Sequence, residues 1–203
     1  ERTEAPNPFL EEWTTPYGVP PFDRIRPEHF LPAFERGMSL HNAEIDAIVA
    51  QPDEPTFENT IAAYDAAGGM LQRTALFFVM LASSNATPEM QAVEEEAMPL
   101  LAAHADGIRM NERLFGRVRA VYDRREALPR SPEQLRLTER LYRQFVRSGA
   151  LLDEAGKRRL KEINGELSRL SVRFGNNLLR ANDAFRLELT ADQLEGLPTV
   201  VRE

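Results

Sequence analysis

Apolar residues return at alternating steps of three and four in nearly every segment beyond residue 30. That period confines the chain to helices packed through one face. Phe30, Phe34, Met38, Ile45 and Ile48 mark such a face to about residue 49, and Phe57, Ile61, Tyr64, Gly68, Leu71, Ala75, Phe78 and Ala82 mark a second over 56–83. Met90, Val93, Ala97, Leu101 and Ala105 supply a third, Leu114, Val118 and Val121 a fourth, and Leu135, Leu141, Phe145 and Val146 a fifth. The longest element spans 153–180, with Leu160, Ile163, Leu167, Leu170, Phe174 and Leu178 at a heptad-like spacing. That stripe suits one strand of a coiled coil, but beside five other amphipathic helices intramolecular bundling is the more economical reading. The fold class is all-α, an antiparallel helical assembly.

Local signals agree on where helices begin. Pro27 fits a first turn, where its missing N–H costs nothing. Thr87-Pro88 joins a hydroxyl cap to a first-turn proline, Asn111 opens the next helix, and Ser131-Pro132-Glu133-Gln134 reads as a capping box. Gly149 offers a left-handed stop. Gly68 and Gly69 lower helix propensity and imply either a close helix contact or a kink. Before these helices, residues 1–26 carry prolines at 6, 8, 16, 20 and 21 and no helical period. They read as an extended proline-rich N-terminal arm packed on the helices through Phe9, Leu10, Trp13, Tyr17 and Phe22. Residues 27–182 form the helical domain. In 183–203, Phe185, Leu187 and Leu189 alternate as in a short strand or extended link, and Thr190 with Gln193 forms another capping box before Gly196 and Pro198.

Charge narrows the partners. Lys+Arg of 25 against Asp+Glu of 32 gives a net charge of -7, which argues against a surface that tracks nucleic-acid phosphates. The basic run at 113–125 alternates with apolar positions and reads as a solvated helix face. Without Cys there is no disulfide or thiol chemistry, and the compartment stays open. No 18-residue apolar run occurs, and the most apolar stretch, 75–82, is too short to span a bilayer. The chain starts at Glu1 rather than Met and closes on the apolar 197–201. Both ends suggest a trimmed or processed piece of a longer polypeptide.

Candidate chemistry is sparse. His29, beside Phe30, reads as a packed or capping histidine, and His41 as a solvated one. His104 and Asp106, two apart on a helix, diverge and make a poor metal pair. Glu94, Glu95 and Glu96 point about 100° apart from one to the next and read as a hydrated surface. Asn176, Asn177 and Asn182 are candidate polar wall residues. Phe77, Phe78, Phe115, Tyr142, Phe145 and Phe174 recur at helical spacing and read as core. There is no G-x-S-x-G elbow and no phosphate loop.

Several ordered segments carry a resemblance. NPFLEEWTTPYGVPPFDRIRPEHFLPAFERGM at 7–38 leads, followed by PTFENTI at 55–61, TPEMQAVEEEAMPLLAAHADGI at 87–108 and NERLFGRVRAVYDRRE at 111–126. RLTERLYRQFVRSGALL at 136–152 and RLKEINGELSRLSVRFGNNLL at 159–179 complete the series. Together they resemble the amino-terminal region of the dipeptidyl carboxypeptidase (peptidyl-dipeptidase) branch of the thimet-oligopeptidase-like zinc metallopeptidases. The resemblance implies the amino-terminal lobe of a two-lobed metallopeptidase, one wall of a deep channel that admits short unstructured peptides. It implies zinc in the full-length enzyme, held by an H-E-x-x-H helix and a further Glu in the later polypeptide.

This chain has no H-E-x-x-H, so no catalytic, metal-binding or cofactor-binding residue is assigned on it, and no cofactor is expected in this fragment. The implied activity is release of C-terminal dipeptides from short peptides, with the fragment itself inactive. An oligopeptidase cleaving internally and a non-enzymatic helical interaction module remain alternatives. Expected partners are short peptides and the intramolecular catalytic lobe, with no nucleic acid and no membrane. A lobe cut free would self-associate through its bared apolar surface. The expected compartment is the cytoplasm, with a periplasmic or exported location open if a signal peptide has been removed.

Overall fold

The computed structural model describes residues 7–127, 131–194, 196 and 198. Its helices are α1 (Phe30–Ala50), α2 (Ala63–Ala66), α3 (Gly69–Ser84), α4 (Pro88–Arg109), α5 (Glu112–Asp123), α6 (Pro132–Arg147) and α7 (Glu154–Ala184). The starts of α4 to α7 follow from side-chain caps. Thr87 accepts from the Met90 N–H at 3.3 Å, Asn111 from Leu114 at 3.0 Å and Asp153 from Gly156 at 2.8 Å. Ser131 and Gln134 complete their reciprocal box at 3.3 and 3.1 Å. α6 stops at Gly149, whose φ of 92° lets Gly149 N–H reach the Val146 carbonyl and Ala150 N–H the Phe145 carbonyl, each at 3.1 Å. This double bond is the Schellman pattern.

Two cores result. Phe30, Ala33 and Phe34 of α1 pack with Leu71 and Phe78 of α3 and with Met90, Val93 and Ala97 of α4. Farther along α1, Ile45 and Ile48 pack with Ile61, Leu114, Val118, Val121, Leu141 and Phe145. Full burial of each large side chain contributes about 1.5–3 kcal/mol.

The arm lies over the first core. Asn7 donates its amide to the His29 carbonyl at 2.8 Å, and Phe9, 1% exposed, sits 4.9 Å from the Phe30 ring. Trp13 donates to the Pro8 carbonyl at 2.8 Å and meets Phe77 edge-on at 5.1 Å. Two other expected anchors do not hold: Leu10 and Tyr17 are exposed, whereas Phe22, though 44% exposed, meets Phe77 edge-on at 6.4 Å, and Pro21 and Ile25 are buried. The cause at Tyr17 is local, since its φ of 60° in the turn with Gly18 swings the ring into solvent.

The helix expected over 56–83 is broken. A π turn, Phe57–Ala62, runs into α2; Ala67 then leaves helical geometry and Gly68 takes φ 78° before α3 begins. Both readings of the glycine pair apply at Gly68, which makes the kink and also the close approach. A Cβ there would lie 2.9 Å from the His41 ring, in a conformation that already disfavours side chains. By length and composition the stretch Phe57–Ser84 reaches a mean hydropathy of 1.2 over 18 residues, enough for a membrane span. The break at Gly68 divides that stretch, and Leu71, Thr74 and Phe78 of α3 are committed to the core.

At the far end, α7 continues to Ala184 rather than stopping near 180. Phe185, Leu187 and Leu189 follow in an extended, exposed stretch that pairs with no strand among the described residues. The Thr190 N–H then donates to Gln193 Oε1 at 2.9 Å, opening the turn Ala191–Leu194. Of the apolar ending at 197–201, only Pro198 is among the described residues.

Candidate functional site

α4 and α7 run antiparallel, and polar side chains line the seam between them. Asn164 donates to both carboxylate oxygens of Asp106 at 2.9 and 3.0 Å, and Asn176 donates to Glu95 at 3.2 Å. At the start of α7, Lys157 reaches Glu112 at 2.5 Å and Glu154 at 3.3 Å. The hydrogen bond from Lys157 holds Glu112 below the ordinary carboxylate range, and the same bond raises Lys157 above the ordinary lysine value despite its burial. Asp106, Lys157, Val172 and Asn176 are buried. α7 is therefore attached mainly by hydrogen bonds and charge.

Its apolar stripe faces the other way. Ile163, Leu167, Leu170, Phe174 and Leu178 are 40–70% exposed, and of the stripe expected to bundle inward only Leu160 turns toward the body. Phe174, read as core from its spacing, is the most exposed of them at 70%. The inward face belongs to positions one step round the helix, where Asn164 and Asn176 find partners on α4 and Val172 is buried. Beside the seam lies an open groove of about 640 Å³ lined by Glu95, Glu162, Glu166, Arg169, Val172 and Arg173. A more apolar pocket of about 300 Å³ lies among α3, α4 and α7, with Phe78, Met90, Glu94 and Leu179 in its wall.

The histidines separate in role. His29 accepts the Arg26 N–H on Nδ1 at 3.0 Å and caps the turn before α1. His41 is not simply solvated: its Nδ1 lies 3.1 Å from Nε2 of His104, across the contact of α1 with α4. Burial pushes His41 down against the pull of Glu44, and burial with the His41 charge pushes His104 down. The tautomers decide which ring donates, and burial of both rings is what favours the uncharged form of the pair. Asp106 points away to Asn164, diverging from His104 as its spacing implies. Among the described residues, no group of three His, Asp or Glu converges to hold a metal.

The acidic triplet divides as helical geometry requires. Glu95 faces α7, and Glu94 is half-buried, its carboxyl raised by burial first and by the Glu95 charge second. Asn176 is a buried seam residue, whereas Asn177 accepts from Arg180 at 2.7 Å on the surface and Asn182 is exposed. The histidine pairing lies beyond local reading, because its members stand 63 residues apart. A row of arginines on α6 did carry a signal: Arg136, Arg140, Arg143 and Arg147 recur at steps of four, three and four.

No family model matches the chain. It is 41% identical to the dipeptidyl carboxypeptidase of Escherichia coli over 176 residues, which are 87% of this chain and 26% of that protein. Against the dipeptidyl carboxypeptidase of Salmonella typhimurium the identity is 38% over 178 residues, 88% of this chain and 26% of that protein. Oligopeptidase A of Escherichia coli is 28% identical over 193 residues, 95% of this chain and 28% of its own length. The chain thus spans about a quarter of the length of these curated relatives.

Proposed function

Because the chain belongs to the dipeptidyl carboxypeptidase and oligopeptidase A family, as its amino-terminal part, we propose that it is one wall of the peptide channel in a zinc peptidyl-dipeptidase. The observation that carries this reading is the 41% identity over 87% of the chain. Higher identity to dipeptidyl carboxypeptidases than to oligopeptidase A, 41% and 38% against 28%, supports dipeptide release over internal cleavage. The outward apolar face of α7 supports a further body of the same polypeptide lying against it.

Zinc does not fit the residues present here. His29 is spent on a cap, His41 and His104 bond each other, and among the described residues no third ligand converges on them. On this reading the metal and the chemistry belong to the rest of the polypeptide. The present chain shapes access and excludes folded proteins.

The test uses the full-length polypeptide and an octapeptide supplied as free acid and as amide. Stepwise dipeptide release from the free acid, abolished by the amide, is expected, with no hydrolysis by the 203-residue chain alone. Internal cleavage of the amide would overturn the assignment in favour of an oligopeptidase. Zinc-dependent cleavage by the isolated chain would overturn the division of labour.

A further inference from the structure

A second feature of the surface concerns charge. Arg136, Arg140, Arg143 and Arg147 stand in one row on α6, and Arg109, the last residue of α4, joins them along an open groove of about 600 Å³. None of the described residues lining it is acidic. In a chain of net charge -7 this is a concentrated patch of the opposite sign. Glu139 on the same helix occupies Arg143 at 3.0 Å and, more loosely, Arg136 at 3.8 Å. Arg109 lies beside the Tyr64 side chain, where its charge opposes the burial that raises the phenol. Arg140 and Arg147 have no carboxylate partner among the described residues. Helix polarity accounts for arginines in the last turns of α4 and α6. It does not account for Arg136 and Arg140 farther up the helix.

We propose that this groove binds acidic stretches of peptide. The inference rests on the peptidase reading for the encounter with peptides, and on the groove itself for the preference. From Arg136 to Arg147 the helix rises about 16 Å, the length of roughly five residues of extended chain. Successive arginines are about 5–6 Å apart at the Cβ, close to the spacing of about 7 Å between alternate side chains of an extended peptide. Acidic residues at alternate positions would therefore meet consecutive guanidinium groups, which pair with carboxylates through two parallel N–H bonds. A single-stranded nucleic acid is less well served, because among the described residues no aromatic side chain lines the groove to stack a base.

The experiment measures fluorescence anisotropy of labelled Gly-Glu-Gly-Glu-Gly-Glu with the 203-residue chain at low salt. Saturable binding is expected, weakening with added salt, and absent for the peptide with Gln in place of Glu. Arg140→Gln/Arg147→Gln should bind about tenfold more weakly, the loss of two exposed charge pairs. Arg113→Gln/Arg119→Gln on α5 makes the same change of net charge and should leave binding unaltered, with circular dichroism confirming that both variants are folded. Equal weakening by the two double variants, or none by the α6 variant, would overturn the proposal. Tighter binding of an oligonucleotide of equal charge would overturn it in favour of a nucleic-acid surface. Because cleavage is not read, failure of the peptidase assay leaves this result standing, and the reverse also holds.

Discussion

α6 and α7 begin from the same kind of sequence and end in opposite relations to the body. Each has a side-chain cap at its start and a one-sided apolar stripe. α6 buries that stripe, with Leu141 at 4% and Phe145 at 0% exposure, and turns its arginines outward. α7 buries Lys157 and Asn176 and half-buries Asn164 against partners on neighbouring helices, and leaves Leu167 at 55% and Phe174 at 70%. Periodicity therefore establishes that a segment is helical and one-sided. It does not establish which side the rest of the protein covers. On α7 the buried polar groups are tolerated because each is hydrogen-bonded, and the apolar side keeps its burial energy in reserve.

The sharpest way to break this contrast is to shorten a phenylalanine in each helix. Phe145→Ala should cost about 3–5 kcal/mol by urea unfolding, whereas Phe174→Ala should stay within about 0.5 kcal/mol. Equal losses would mean that α7 is packed through its apolar side. Next in size, Asp106→Ala strands the Asn164 amide in the seam and should cost about 1–3 kcal/mol. An unchanged unfolding midpoint would remove the polar seam as the attachment of α7.

Acid should loosen the start of α7 more gently. Glu112 titrates below its unfolded value, so its contribution is complete above about pH 4.3 and is lost as pH falls through the lower folded value. Lys157 titrates above its unfolded value, so its contribution is complete below about pH 10.4 and is lost as pH rises through the higher folded value. Helical NMR shifts at the start of α7 should loosen as Glu112 takes up its proton and releases Lys157, and shifts that do not respond to acid would argue against this anchor. The smallest effect on stability is expected from Leu167→Glu/Phe174→Glu, within about 0.5 kcal/mol per site. The same variant should abolish concentration-dependent association in sedimentation, if the wild-type chain associates through this face.

What the residues disclosed beforehand was what short-range chemistry decides. Thr87, Asn111, the Ser131–Gln134 box and the Gly149 stop act within five residues of themselves, so their bonds follow from their spacing. The facing of α7 depends on Asp106 and Glu95, both far away in sequence, and an apolar stripe outweighed them on paper. His41 looked solvated because its sequence neighbours are polar; its surroundings are instead set by His104 and the backbone of Gly68. At Gly68 the spacing alone left kink and contact open, since the backbone angle that makes the kink and the approach to the His41 ring that makes the contact are both set by the packed structure. Tyr17 failed as an anchor for a similar reason, its φ of 60° being a property of the turn.

The position of the histidine pair has a mechanical consequence. α1 and α4 each touch both cores: Phe34 and Ala97 lie in one, Ile45 and Ile108 in the other. His41 and His104 fall between those contacts on their respective helices, like a rung between two rails. Space at this rung is tight, with Gly68 against the His41 ring and Gly37 placing a would-be Cβ 3.0 Å from Leu71 Cα. Added bulk here would spread the rails and tilt one core relative to the other, so the angle between the two halves is governed from their common middle.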